Sequence, residues 1–174
     1  MLVFPQRPSH FLIGAPGSGK STFTHWLRQE LPTAWVISSD EIRAELYGDS
    51  GIQGDWSVIE AIILQRLNQA IRQGQAVIYD ATNSYQPWRQ DFLGKCPPMD
   101  WVAWYLSCDL EICLARNQRR SRQVPQEVIE KMLLNLMEAP PQTTEGFLEV
   151  ITLSDISLAT LRALKKQHPE YLGG

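Results

Sequence analysis

The sequence predicts an α/β domain in which a parallel sheet is covered by helices. Three observations carry this: short apolar runs alternate with longer stretches of helical periodicity, a glycine-rich loop joins the first run to a helix, and the composition is that of a globular chain. With 174 residues, 44% of them hydrophobic and 20% charged, there is enough apolar material for a full core. A net charge of -3 gives no global attraction for nucleic acid, so any polyanion site must be local. The whole of 1–174 reads as one domain.

Strands are expected at 10–13, 34–38, 76–81, 102–107 and 149–153, where β-branched and aromatic residues cluster between turn signals. Helical periodicity is clearest from Val58 to Ile71, behind an expected capping box of Ser57 and Glu60, with Gly74 as terminator. A second stripe runs from Val128 to Met137, entered through Pro125 and stopped by Pro140 and Pro141. The stretches 47–54, rich in Gly and Asp, and 117–124, rich in Arg, read as functional loops.

Three cysteines, Cys96, Cys108 and Cys113, are too few and too unevenly spaced for a disulfide framework or a zinc site. They fit free thiols in a reducing compartment. No window approaches the length of a membrane span, so a cytoplasmic protein without a membrane partner is expected.

The strongest motif is Gly14-Ala15-Pro16-Gly17-Ser18-Gly19-Lys20-Ser21, which fits G-x-x-x-x-G-K-[ST] between a strand and a helix. Glycines let backbone N–H groups close around a β-phosphate, and the following helix points its positive end at the same anion. Residues 14–22, including Thr22, are therefore the candidate ATP cradle. Lys20 would place its charge on the β- and γ-phosphates and Ser21 would ligate Mg2+.

The rest of the chain argues for transfer over hydrolysis. The strand ending at Asp80 is followed by Ala81, Thr82 and Asn83, with no Glu to position water, and no Asn precedes a Lys as guanine reading would require. Ser39-Asp40-Glu41-Ile42-Arg43 follows the second strand, where open α/β sheets bind ligands. Asp40 and Arg43, three apart at a helix start, can both face the crevice; alone, each would read as a cap and a solvated face. Arg116, Arg119, Arg120 and Arg122 crowd one short segment, suited to a lid over the donor phosphates at about 116–126. Asp80 is a candidate to orient a partner or a metal-bound water, and Arg89 a candidate acceptor contact. The six tryptophans read as packing, with Trp56 and Trp88 the two that would stack on a base.

Taken together, the glycine loop, Ser39-Asp40-x-x-Arg43, Asp80-Ala81-Thr82-Asn83 and Arg116-Asn117-x-x-Arg120 before Val124-Pro125 resemble the kinase module of polynucleotide 5′-hydroxyl kinases. The resemblance is in particular to the bacterial end-healing kinase and phosphatase enzymes, within a wider group that includes zeta toxins. The resemblance runs from about Phe11 to Ile151. It implies a sheet of order 2-3-1-4-5 in a three-layer P-loop fold. It also implies that Asp40 is the general base, Arg43 the holder of an acceptor phosphate, Arg116 and Arg120 lid residues, and Val124 a neighbour of the terminal base. The implied reaction is ATP-dependent phosphorylation of a hydroxyl, foremost a 5′-OH nucleic acid end. A small-molecule kinase and a nucleotide-binding ATPase switch stay open as alternatives, the first favoured by the acidic balance.

Overall fold

A computed structural model of the protein describes residues 7–173. The strands are β1 (Ser9–Ile13), β2 (Trp35–Ser38), β3 (Val77–Asp80), β4 (Trp101–Leu106) and β5 (Glu149–Leu153). Each lies within one residue of its sequence-based expectation. They form one all-parallel sheet in the order β2-β3-β1-β4-β5, as the resemblance implied.

Helices α1 (Lys20–Glu30), α2 (Ser39–Tyr47), α3 (Trp56–Arg72), α4 (Gln86–Lys95), α5 (Leu110–Gln118), α6 (Gln126–Glu138), α7 (Leu158–Gln167) and α8 (Pro169–Leu172) surround the sheet. The period of two along β1 sorts the core into two layers. Phe11 and Ile13 pack with Ile42, Ile59, Ile63 and Phe92, while Leu12 packs with Phe23, Leu27, Leu161 and Leu164. Helices thus cover both faces, and the central strand β1, buried along its whole length, reads as an unbroken apolar run after Ser9 and His10.

One local expectation is corrected. The box of Ser57 and Glu60 does not form: Asp55 caps α3, accepting from the Ser57 amide at 2.9 Å and its hydroxyl at 2.7 Å. The carboxylate two residues earlier is the stronger acceptor for the exposed first amides. Among the described residues no helix is long and apolar enough to cross a membrane.

Parallel strands all end at one edge, so the β1–α1 loop, the start of α2, the end of β3 and the β4–α5 connection share one end of the sheet.

Candidate active site

The β1–α1 loop is held by its surroundings. The Gly14 amide donates to Thr82 O at 2.9 Å, and the Ser18 amide to Ala15 O at 3.1 Å. Gly17 and Gly19 take φ of 85° and 103°, a region only glycine enters cheaply. A Cβ on Gly17 would lie 2.4 Å from Cys113 O, so the loop rests directly on the backbone of α5. No side chain caps α1 at Gly19, which leaves its first-turn amides for an external anion. The Ser18 hydroxyl is buried without a partner in the same loop. A cradle that a Cβ would disturb, an uncapped helix start and an orphan hydroxyl together fit a polyphosphate.

Lys20 Nζ donates to Gly14 O at 2.6 Å and Ala15 O at 3.0 Å. Burial pulls its pKa down, Asp80 and then Asp40 pull it up, and Arg120 opposes the charge from the other side. Burial pushes the Asp80 carboxyl up, against Lys20 and a hydrogen bond from Thr24 Oγ1 to Oδ2 at 2.9 Å. That bond leaves Oδ1 for a further partner. Ser21 and Thr22 are exposed in the first turn of α1, where a hydroxyl could hold a metal.

Asp40 is not a cap: Ser38 caps α2, accepting from the Glu41 amide, which frees the Asp40 carboxylate. Its side chain is 58% exposed and accepts from Arg43 Nη1 at 2.8 Å. Arg43 also donates to Gln53 O at 3.5 Å, and its guanidinium lies over the Trp56 ring, 6.0 Å from the centroid.

The arginine-rich segment is divided between helix and loop. Arg116 stands on the last turn of α5 and donates to Gly17 O at 3.2 Å. The segment 119–125 has no regular structure, against an irregular stretch expected at 117–124. Asn117 holds it by bonding both backbone groups of Val124, at 2.8 and 3.0 Å. Arg122 reaches Ser50 at 3.1 Å, so the two irregular stretches meet. Arg120 is exposed beyond α5, and Val124 is half-buried.

Arg89 is the member of the set that the structure removes. It is fully buried, donating from Nε and Nη2 to the Glu145 carboxylate at 2.7 and 2.9 Å, and to the carbonyls of Asn83, Ser84 and Ala139. All five N–H donors of a guanidinium are thereby used inside the protein. None is left for an acceptor.

Sequence reading missed one wall of the crevice. A cavity of about 100 Å3 beside the loop is lined by Ser18, Ile112, Arg116, Leu153, Asp155 and Ile156, among others. Its two isoleucines and the guanidinium offer flat apolar and cationic surface suited to a base. The only available signal was the strand order, which sets the segment after β5 beside the β4–α5 connection.

Sheet order, crossover loop and cradle define a P-loop nucleotide-binding domain. The chain belongs to the AAA_33 family, described as an AAA domain, whose model matches residues 10–140. It is similar to an L-seryl-tRNA(Sec) kinase of Methanococcus maripaludis, 29% identical over 131 residues, covering 70% of this chain and 49% of that protein. In fold it is similar to a chain of the Pnkp1/Rnl/Hen1 RNA repair complex, with TM-score 0.67, 22% identity, and 82% of this chain and 47% of that one covered. It is also similar to Chaetomium thermophilum Kti12 in complex with ADP-AlF3, with TM-score 0.70, 18% identity, and coverage of 96% and 100%. The chain thus spans about half the length of the first two proteins.

Proposed function

We propose that this protein transfers the γ-phosphoryl group of ATP to the 5′-hydroxyl of a polynucleotide, with Asp40 as general base. The observation that carries the reading is the convergence of charge at one edge of the sheet. Lys20 at the start of α1 feels Asp80 at the end of β3, Asp40 at the start of α2 and Arg120 beyond α5. A donor phosphate beside Lys20 would therefore lie within the field of an exposed carboxylate that no cap or helix bond consumes.

In this reading the amides of 17–22 and Lys20 bind the β- and γ-phosphates, and Arg116 and Arg120 complement the charge that spreads over the transferring group. Mg2+, when bound, supplies further neutralisation of that charge, with the Ser21 hydroxyl as ligand and Asp80 reached directly or through water. Asp40 accepts the proton of the attacking hydroxyl. Arg43 orients Asp40 and offers its remaining N–H groups to one acceptor phosphate, and Val124 stands by the terminal base. Arginine suits that phosphate because its fork matches two oxygens at once. Two comparisons favour an RNA-linked hydroxyl: the relative named for seryl-tRNA and the neighbour from an RNA repair complex.

A small-molecule acceptor is the second reading, favoured by the acids Asp40, Glu41, Glu45, Asp49 and Asp55 in α2 and the turn after it. Incubation with γ-labelled ATP and 5′-hydroxyl RNA or DNA oligonucleotides tests the first. Label should pass to the 5′ end, and Asp40→Ala should slow transfer by about a hundredfold or more with ATP affinity little changed. Labelling of a metabolite pool with no label on any oligonucleotide would replace the first reading by the second.

A further inference from the structure

The acceptor side of the crevice presents an aromatic surface that the proposed chemistry does not use. Trp56 is the first residue of α3, and 44% of it is exposed. Tryptophan buries a large apolar area when it can, so an indole left open beside a candidate general base is unusual. One of its faces is turned to the Arg43 guanidinium, which in turn is bonded to Asp40. Carboxylate, guanidinium and indole therefore stand in a row.

The presentation is fixed. Asp55 caps the helix through Ser57, and the Asp55 amide donates to the Tyr47 hydroxyl at 3.2 Å. The Tyr47 ring lies so close to Gly54 that a Cβ there would be 2.2 Å from it, and Gly54 sits at φ 60°. The turn leading into Trp56 is thus held by a ring, a cap and a glycine, which limits the entropy that a ligand must remove.

Charge decides how an acceptor is gripped here. Asp40, Glu41, Glu45, Asp49 and Asp55 lie in α2 and the turn that follows it, with Arg43 bonded to Asp40 and Arg66 to Glu45. A track of phosphates along this face would be repelled. Affinity for a nucleic acid end must come from contacts that are not ionic, and an exposed π-face supplies one.

Resting on the polynucleotide reading above, we propose that Trp56 is the stacking platform for the base of the acceptor's terminal nucleotide. Arg43 takes a single phosphate, so the end is recognised by one base and one phosphate. Val124 belongs to a different segment, held by Asn117, so the two side chains can be substituted separately.

The test is a cycle between protein and substrate. KM and kcat for ATP-dependent 5′ phosphorylation are measured with an oligonucleotide carrying either a normal or an abasic 5′-terminal residue, for the wild type, Trp56→Ala, Trp56→Phe and Val124→Ala. Trp56→Ala should raise KM for the normal oligonucleotide roughly tenfold or more, and Trp56→Phe should recover most of that loss. On the abasic substrate Trp56→Ala should add nothing. The slope of log KM against log salt should be near one phosphate's worth, about 0.7 to 0.9.

Equal KM for wild type and Trp56→Ala, or penalties of the variant and the abasic site that add, would overturn the stacking role while leaving the polynucleotide reading intact. So would a loss of base dependence in Val124→Ala alone. A wild type that labels no oligonucleotide would overturn both.

Discussion

Removing the Arg89 guanidinium separates a structural role from an acceptor contact, and the two roles predict opposite results. Arg89→Ala leaves the Glu145 carboxylate buried without its partner, a change that typically costs about 3–5 kcal/mol. Both side chains of this pair are almost wholly inaccessible, so water cannot take over the bonds. The carbonyls of Asn83, Ser84 and Ala139 lose donors as well, at about 1 kcal/mol each where burial is complete. Because 1 kcal/mol moves Tm by about 2–4 °C in a chain of this size, a fall of about 10 °C or more is expected. Arg89→Lys, which cannot reproduce the fork, should fall between the variant and the wild type. Differential scanning calorimetry reads the stability, and acceptor KM is measured at a temperature where each variant is folded. KM should stay within a factor of about three, since no N–H of Arg89 is free. A KM raised tenfold with Tm unmoved would refute the assignment.

Three further outcomes follow. Lys20→Ala should lower kcat about 100- to 1000-fold through lost stabilisation of developing charge, read by single-turnover transfer; a normal rate would undo the cradle argument. Gly17→Ala places a Cβ 2.4 Å from Cys113 O at a positive φ, so it should weaken nucleotide binding and lower Tm by several degrees, measured by calorimetry with and without ADP. His10 accepts from Trp104 Nε1 at 2.9 Å in the core, and burial lowers its pKa from 6.5 to about 4. Its folded value lies below its unfolded one, so the stability it contributes is complete above pH 6.5 and lost as pH falls towards 4, by about 3 kcal/mol. His10→Gln keeps an acceptor without titrating, so wild type and variant should converge by that amount in urea unfolding between those pH values. Parallel curves would contradict it.

What the sequence disclosed and what it withheld divide along the range of the interactions. The strands and the glycine loop are local: a β-branched run, a spacing of glycines, a lysine before a serine. Asp40 with Arg43 is local too, three residues on one helical face. Arg89 was misjudged because its partner Glu145 stands 56 residues away, joined to it only by tertiary packing. Nothing in Pro87-Trp88-Arg89 announces a buried ion pair. The cavity wall at Asp155 and Ile156 was missed for the same reason, since it depends on which strand neighbours β4. At α3 the competing signals were both local, and the stronger acceptor prevailed, an Asp carboxylate over a Ser hydroxyl.

Charge separates the two halves of the crevice. On the donor side Lys20, Arg116 and Arg120 gather around the loop with Asp80 among them, in a chain whose net charge is -3. On the acceptor side Arg43 stands among the carboxylates of α2 and the turn after it, with Arg66 bonded to Glu45 and Arg122 to Ser50. A polyphosphate is attracted to the first and meets repulsion at the second beyond the one phosphate Arg43 can hold. In the function proposed above Asp40 meets the incoming hydroxyl, and Arg43 steadies its carboxylate. Reversing it should therefore alter acceptor selection without rescuing or abolishing donor binding, which makes the acceptor face the more informative place to substitute.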